Sequence, residues 1–316
     1  MGRFAPTPSG RMHLGNAFSC LMAWLAARSA GGRMVLRIED LDPRARDPEA
    51  ARLVMDDLAW LGLDWDEGPF FQSGRGDAYA EAIARLEGLG LTYPCFCTRS
   101  ELHAATAPHA SDGTYVYQGT CKRLSAREAQ RRSASRPPAT RLSVPSEDDP
   151  AGTVTFEDAC HGTVREVLAR ECGDFLVRRS DGVVAYQLAV VVDDAEMGVT
   201  QVVRGRDLLG STARQIYLQR LLGYPTPRYA HVPLLVAADG RRLSKRDRDL
   251  DLGAIRARGE RPGQVVGRLA RLAGLAETGE EVSADRLVER FSWGYLRRNP
   301  NDVTVGRNFL PAGLSY

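Results

Sequence analysis

The chain has 316 residues, of which 43% are hydrophobic, and a formal net charge of +2. No apolar run approaches the roughly 20 residues that cross a bilayer, which excludes a membrane-spanning helix, and a charge so near neutral neither demands nor excludes nucleic acid. Chemistry-bearing residues begin at position 3, so we expect no signal peptide and a cytoplasmic protein.

A short strand is expected over 3–6, followed by a loop in which Pro6, Pro8 and Gly10 keep a helix from starting early. Leu14, Phe18, Leu21, Met22 and Leu25 then recur at helical spacing, which predicts a helix over 13–30. Its unpaired N–H groups would face the loop, where an anion could sit. Gly15 lacks a Cβ and would let a nucleotide lie against the backbone, while His13 and Asn16 could donate to phosphate oxygens or ribose. A strand over 34–38 runs into Glu39, and helices over 47–61 and 76–89 complete a β-α-β-α start to a parallel sheet. Glu39 thereby falls at the carboxyl edge, where such sheets bind ligands.

The alternating pattern breaks over 93–175. Cys95-Phe96-Cys97 comes first, then Tyr117-Gln118-Gly119-Thr120-Cys121, a spacing able to bring three thiolates and a phenol oxygen around one zinc ion. A Cys-x-Cys pair does not readily form a disulfide. Cys20, Cys160 and Cys172 lack matching partners and read as core or inert thiols. Stretches rich in Ala, Ser, Arg and Pro over 104–113 and 125–150 mark loops of an inserted subdomain.

The sheet is expected to resume with strands over 175–179 and 183–192, ahead of Asp193-Asp194, and a helix over 212–222 follows. A strand over 232–237 and the Asp239-Gly240 turn read as a hairpin, which leaves Leu243-Ser244-Lys245 on a loop able to close over a polyphosphate. Lys245 stands out because only it and Lys122 are lysine among 42 Lys plus Arg residues. Beyond it, Val265, Val266, Leu269, Leu272 and Leu275 predict two or three helices packed on the catalytic domain. The implied divisions are a first catalytic half over 1–92, the insertion over 93–175, a second half over 176–246 and a helical region over 247–316.

At these residues the chain resembles class I aminoacyl-tRNA synthetases. His13-Leu14-Gly15-Asn16 is similar to their HIGH motif and Arg242-Leu243-Ser244-Lys245-Arg246 to KMSKS. Asn16 departs from the usual final His or Ser, and Arg242, Leu243 and Arg246 depart around the retained Ser244-Lys245. Blocks over 3–10, 36–43 and 204–208 are similar to the glutamyl-tRNA synthetase group. The fold class implied is α/β, a Rossmann-like class I catalytic domain with a zinc-containing, acceptor-binding insertion and a short helical C-terminal region. Ordinary glutamyl-tRNA synthetases carry a large anticodon-binding region after KMSKS, whereas about seventy residues follow Lys245 here. Their zinc set commonly ends in Cys-x-His, whereas Cys121-Lys122-Arg123 has no histidine. Both features resemble the truncated glutamyl-Q tRNA(Asp) synthetase family, whose Tyr-x-Gly-x-Cys ending implies Tyr117 as fourth zinc ligand, with Tyr115 as the alternative.

The resemblance implies a set of roles. Arg3 and Arg204 would pair with the carboxylates of glutamate, Glu39 would receive its ammonium, and Ala5, Thr7 and Tyr186 would line the pocket. His13, Gly15, Asn16, Ser244 and Lys245 would hold ATP with Mg²⁺, and His13, Asn16 and Lys245 would stabilise the charge that develops on its phosphates. The implied reaction is formation of glutamyl-adenylate without tRNA, then transfer of glutamate to queuosine at the wobble position of tRNA(Asp), by a monomer. Two other readings stay open: a truncated synthetase charging a tRNA 3′ end, and a catalytically silent binding module. Arg-rich stretches over 123–136 and 256–261 are tRNA-facing candidates or solvated helix faces.

Overall fold

The structure is a computed structural model describing residues 1–98, 101, 116–117, 119–237, 239–241 and 251–305. Strands β1 (Gly2–Phe4), β2 (Met34–Ile38) and β3 (Glu67–Phe71) form a parallel sheet in that order. Helix α1 (Leu14–Arg28) connects β1 to β2, and α2 (Pro48–Trp60) connects β2 to β3. The five periodic apolar residues that predicted α1 are all buried. At the start of α2, the Asp47 carboxylate accepts the Glu49 N–H at 2.9 Å and Pro48 supplies a preset φ, both ordinary helix-start devices. Helix α3 (Gly76–Gly88) follows, burying Tyr79, Ile83 and Leu86.

The second half adds parallel strands, with helices set between them. After β4 (Thr92–Cys95), α4 (Ala126–Ser133) and β5 (Ala139–Leu142), the chain makes an antiparallel hairpin of β6 (Thr153–Asp158) and β7 (Gly162–Val167). Next come α5 (Leu168–Glu171), β8 (Phe175–Arg178), α6 (Tyr186–Glu196), β9 (Gln201–Gly205), α7 (Thr212–Leu222) and β10 (Arg228–Val232). Strands β7, β6, β10 and β9 form one sheet in that order, and β10 is parallel to both β6 and β9. This sheet meets the first along β9 and β1, where the N–H groups of Thr200 and Gln201 donate to Met1 O at 2.9 and 3.2 Å. From that seam the chain winds outward in both directions, first through β2 and β3, later through β10. Such a reversal is the switch point at which open α/β sheets bind ligands, beyond the carboxyl ends of the strands.

Both faces of the sheet are covered. Met34, Leu36 and Ile38 pack into a core with α1 and α2, whereas Val35 points into a second core with α3, α6 and α7, as strand alternation requires. The C-terminal helices α8 (Leu252–Ala257), α9 (Pro262–Leu272) and α10 (Gly294–Arg298) join the first core, with Val265, Val266, Leu269 and Leu275 buried and Leu272 partly so. No helix of the described residues is long and apolar enough to cross a membrane.

Three expectations are corrected. The sequence predicts a strand over 183–192, but α6 is a helix whose Leu188 to Val192 stretch is entirely buried. A segment buried on every side shows no polar–apolar alternation, and its three consecutive valines favour the strand reading. Strand β8 does not resume the parallel sheet; it pairs antiparallel with β5, which pairs with β4. The expected hairpin over 232–237 is replaced by two short strands, since β10 ends at Val232 and β11 (Leu235–Val236) pairs in parallel with β12 (Val303–Thr304). Pro233 has no N–H to continue the ladder. The turn itself is present, with Gly240 N–H donating to Ala237 O at 2.9 Å and Gly240 at φ +79. Strand β3, with Gly68 and Pro69 in it, gave no strand signal; it sits at the sheet edge, where a proline is tolerated.

Candidate active site

A cavity of about 430 Å³ opens at the seam between β1 and β9, and its walls include Arg3, Ala5, Thr7, His13, Gly15, Asn16, Glu39, Tyr186 and Arg204. Residues spread over two hundred positions of sequence meet because each sits at the end of a strand or the start of a helix. Arg3 is on β1, Glu39 follows β2, Arg204 is on β9, Tyr186 opens α6 and His13 caps α1. The loop over 5–12 is drawn against β2 by the Glu39 N–H, which donates to Pro6 O at 2.9 Å.

The start of α1 has the expected form. His13 takes the extended conformation of a cap, and its Nδ1 accepts the Asn16 N–H at 3.4 Å. Gly15 serves its neighbour as well as the cavity: a Cβ there would come within 3.2 Å of the His13 ring. Downstream, Leu252 N–H donates to Met12 O at 2.8 Å and Asp251 bridges to His13, so the chain returns beside this loop. Ser244 and Lys245 lie outside the described residues.

Arg3 and Glu39 of the cavity wall belong to a buried ion-pair network that the motifs did not announce. Arg37, whose side chain is fully buried, donates to Asp194 Oδ1 at 2.7 Å and to Glu39 Oε1 at 3.4 Å. Asp194 Oδ1 also lies 3.3 Å from Arg3 Nε, so one carboxylate serves both arginines. Burial alone would lower the pKa of Arg37, but Asp194, Glu39 and Asp193 together hold it above the ordinary arginine value. Burial raises the pKa of Glu39, against the pull of Arg37 and Arg3, and burial raises that of Tyr186 as well. A charged residue inside the apolar strand Met34–Ile38 was the available signal for this network. Asp193, also wholly buried, accepts from Gln72 at 2.7 Å, Arg75 at 2.6 Å and Tyr79 at 3.0 Å, tying α3 to α6.

Arg204 is held differently. Its Nε–H donates to His231 Nε2 at 2.9 Å, and its terminal nitrogens donate to Gln215 Oε1 at 2.8 Å, Thr212 Oγ1 at 2.9 Å and Leu208 O at 3.2 Å. The last three come from α7 and the turn before it.

The other constellation lies in the segment after β4. The sulfurs of Cys95, Cys97 and Cys121 lie within 4.8 Å of one another, with Cys97 and Cys121 3.6 Å apart. Tyr117 Oη stands 3.7 Å from Cys95 Sγ and 3.6 Å from Cys97 Sγ, and accepts the Cys121 N–H at 2.7 Å. A tetrahedral zinc with bonds of about 2.3 Å places its sulfurs about 3.8 Å apart, so this donor set fits such an ion. The surroundings suit thiolates too: Arg141 Nε donates to Cys95 Sγ at 3.2 Å, and Phe96 N–H to Cys121 Sγ at 3.3 Å. Tyr115 lies outside the described residues. Cys160 and Cys172 are buried, while Cys20 lines the cavity; burial pushes the Cys20 and Cys160 thiols up to about 12, where they are inert.

Comparison with known proteins is consistent with this geometry. The family of class I tRNA synthetases for E and Q, catalytic domain, matches residues 1–299. A glutamyl-Q tRNA(Asp) synthetase of Symbiobacterium thermophilum is 49% identical, over 95% of this chain and 94% of that one. Its counterpart in Nitratidesulfovibrio vulgaris is 50% identical over 87% and 86%. Among solved structures, a glutamate-tRNA synthetase from Elizabethkingia anophelis superposes with a TM-score of 0.81 at 25% identity, covering 97% of this chain and 68% of that one. A glutamate tRNA ligase from Elizabethkingia meningosepticum, solved with its amino acid, gives 0.77 at 26% identity over 93% of this chain, which spans 64% of that ligase. With half its residues shared across nearly the full length of these relatives, the chain belongs to the glutamyl-Q tRNA(Asp) synthetases, ligase-type enzymes of the family of class I tRNA synthetases for E and Q.

Proposed function

We propose that the chain activates L-glutamate with ATP in the absence of tRNA and transfers the glutamyl group to queuosine at the wobble position of tRNA(Asp). The observation that carries this reading is the meeting of Arg3, Arg204, Glu39 and Tyr186 around one cavity that continues to the start of α1. A dicarboxylic amino acid calls for guanidinium partners for its two carboxylates and one acid for its ammonium. In the first step the α-carboxylate oxygen of glutamate bonds to the α-phosphorus of ATP, the bond from that phosphorus to the bridging oxygen breaks, and pyrophosphate leaves. Negative charge grows on the phosphate oxygens, so the site needs fixed donors more than a protein nucleophile. His13 and Asn16 at the helix start, together with Lys245 of the KMSKS-like sequence, are assigned that task, and Gly15 and Ser244 complete the ATP site. Bound Mg²⁺ would share the phosphate charge. In the second step a queuosine hydroxyl attacks the acyl carbon, its proton is lost and AMP leaves.

The cluster of Cys95, Cys97, Cys121 and Tyr117 would hold one structural zinc, fastening the 117–121 turn to the end of β4. The decisive experiment supplies radiolabelled glutamate, ATP and tRNA(Asp) carrying queuosine, and cuts the labelled tRNA into its anticodon and 3′-terminal fragments to follow where the label sits. Label on tRNA(Asp) away from the 3′ end supports the reading. Label only at a 3′ terminal ribose points instead to a truncated synthetase, and no adenylate at all to a silent module.

A further inference from the structure

The four partners of Arg204 are a carbonyl, an amide oxygen, a hydroxyl and an imidazole. None of them is a carboxylate, although Arg204 is only 5% exposed. A guanidinium has no lone pair to offer, so His231 Nε2 must be bare and the imidazole proton must sit on Nδ1. That nitrogen is 2.6 Å from Asp158 Oδ2. The acid is itself fixed, because its Oδ1 accepts the N–H groups of Cys160 at 2.9 Å, His161 at 3.0 Å and His231 at 3.3 Å. Both side chains are fully buried. The result is a chain from β6 through β10 to β9: carboxylate, imidazole, guanidinium, with the last member on the cavity wall.

We propose that Asp158 and His231 are positioning residues for amino-acid recognition: Asp158 fixes the Nδ1–H tautomer of His231, whose Nε2 clamps the Nε–H edge of Arg204 so that the guanidinium is aimed at a substrate carboxylate. The proposal rests on Arg204 acting as a glutamate ligand. A buried Asp–His pair can also serve only to join two strands, and that role would hold the same tautomer. What it would not do is raise the glutamate KM ahead of the ATP KM when the pair is broken. Here the opposite tautomer would set an N–H against the Arg204 N–H, donor facing donor, and turn the guanidinium away. His231 is kept neutral for the same purpose, since protonation would create the same conflict.

The full chain is assayed by glutamate-dependent ATP–pyrophosphate exchange, with KM measured separately for glutamate and for ATP. Asp158→Asn, whose amide can donate to Nδ1 and favour the wrong tautomer, and His231→Leu, which removes the acceptor, should each raise the glutamate KM roughly ten- to a hundredfold. The ATP KM should stay within about twofold. His231→Gln, with an amide oxygen able to accept from Arg204, should recover most of the loss seen in His231→Leu. Nitrogen-15 NMR of the histidine-labelled wild type tests the same point without a substitution in the observed protein, the His231 resonances being assigned by their loss in His231→Gln. The proposal requires Nδ1–H and a bare Nε2 at neutral pH, and a proton on Nε2 overturns it. Losses that fall equally on glutamate and ATP, in step with a lower melting temperature, also overturn it. If wild type exchanges and Arg204→Ala raises the glutamate KM while Asp158→Asn and His231→Leu do not, the positioning role alone falls. If wild type shows no glutamate-dependent exchange, the reading of function falls with it.

Discussion

Arg37 is a cation placed where water cannot reach it, and it persists because Asp194, Asp193 and Glu39 surround it. Removing one partner of a buried ionic cluster leaves its acids uncompensated, so Arg37→Met should cost about 3–5 kcal/mol in chemical denaturation; a loss within about 0.5 kcal/mol, as for an ordinary surface substitution, would contradict the network. His231 is a second residue with a measurable signature. Burial drives its pKa down to about 4 from 6.5, against Asp158, while the facing charges of Arg204 and His161 push the same way as burial. The unfolded chain therefore takes up the proton first as pH falls. Stability due to neutral His231 is fully present above 6.5 and is lost between 6.5 and 4, by up to about 3 kcal/mol. Asp158, held down to about 2 by His231 despite its burial, adds a loss only below its ordinary 3.8. Subtracting the pH profile of His231→Gln from that of wild type isolates the first window, and a flat difference there would rule the shift out.

At the scale of elements, the site exists because β1 and β9 diverge at one seam while α1 starts beside it. Much of this was legible. Leu14 to Leu25 repeat at helical spacing, Pro8 and Gly10 bar an earlier start, and β2 is apolar apart from Arg37, so α1 and β2 were placed nearly to the residue. Short-range spacing also exposed the Cys95-Phe96-Cys97 clamp. Helix α6 was not legible, because a helix buried all round has no periodicity to read. Nor was the partnership of Asp158 with His231: 73 positions separate them, and neither residue stands in a pattern that points to the other. The insertion makes its own prediction. Cys97→Ser should lower zinc content to well below one ion per chain and soften the segment between β4 and β5, measured by metal analysis and hydrogen exchange. Full metal content in that variant would show that the ligands are misassigned.

At the scale of the whole molecule, the C-terminal helices are part of the catalytic core, since Val265, Val266 and Leu269 bury against the same cluster as Leu14, Phe18 and Met22. Asp251 and Leu252 pair beside Met12 and His13, so the chain that follows Lys245 returns to the cavity. Arg3, Glu39, Tyr186 and Arg204 come together around one cavity within this single chain. The central claim of the proposed function is that this one chain makes glutamyl-adenylate unaided. ATP–pyrophosphate exchange with glutamate and without any tRNA tests it most directly. The account predicts exchange that depends on glutamate and is already present before tRNA is added. Exchange that begins only when tRNA is supplied, or none with glutamate at all, would contradict it.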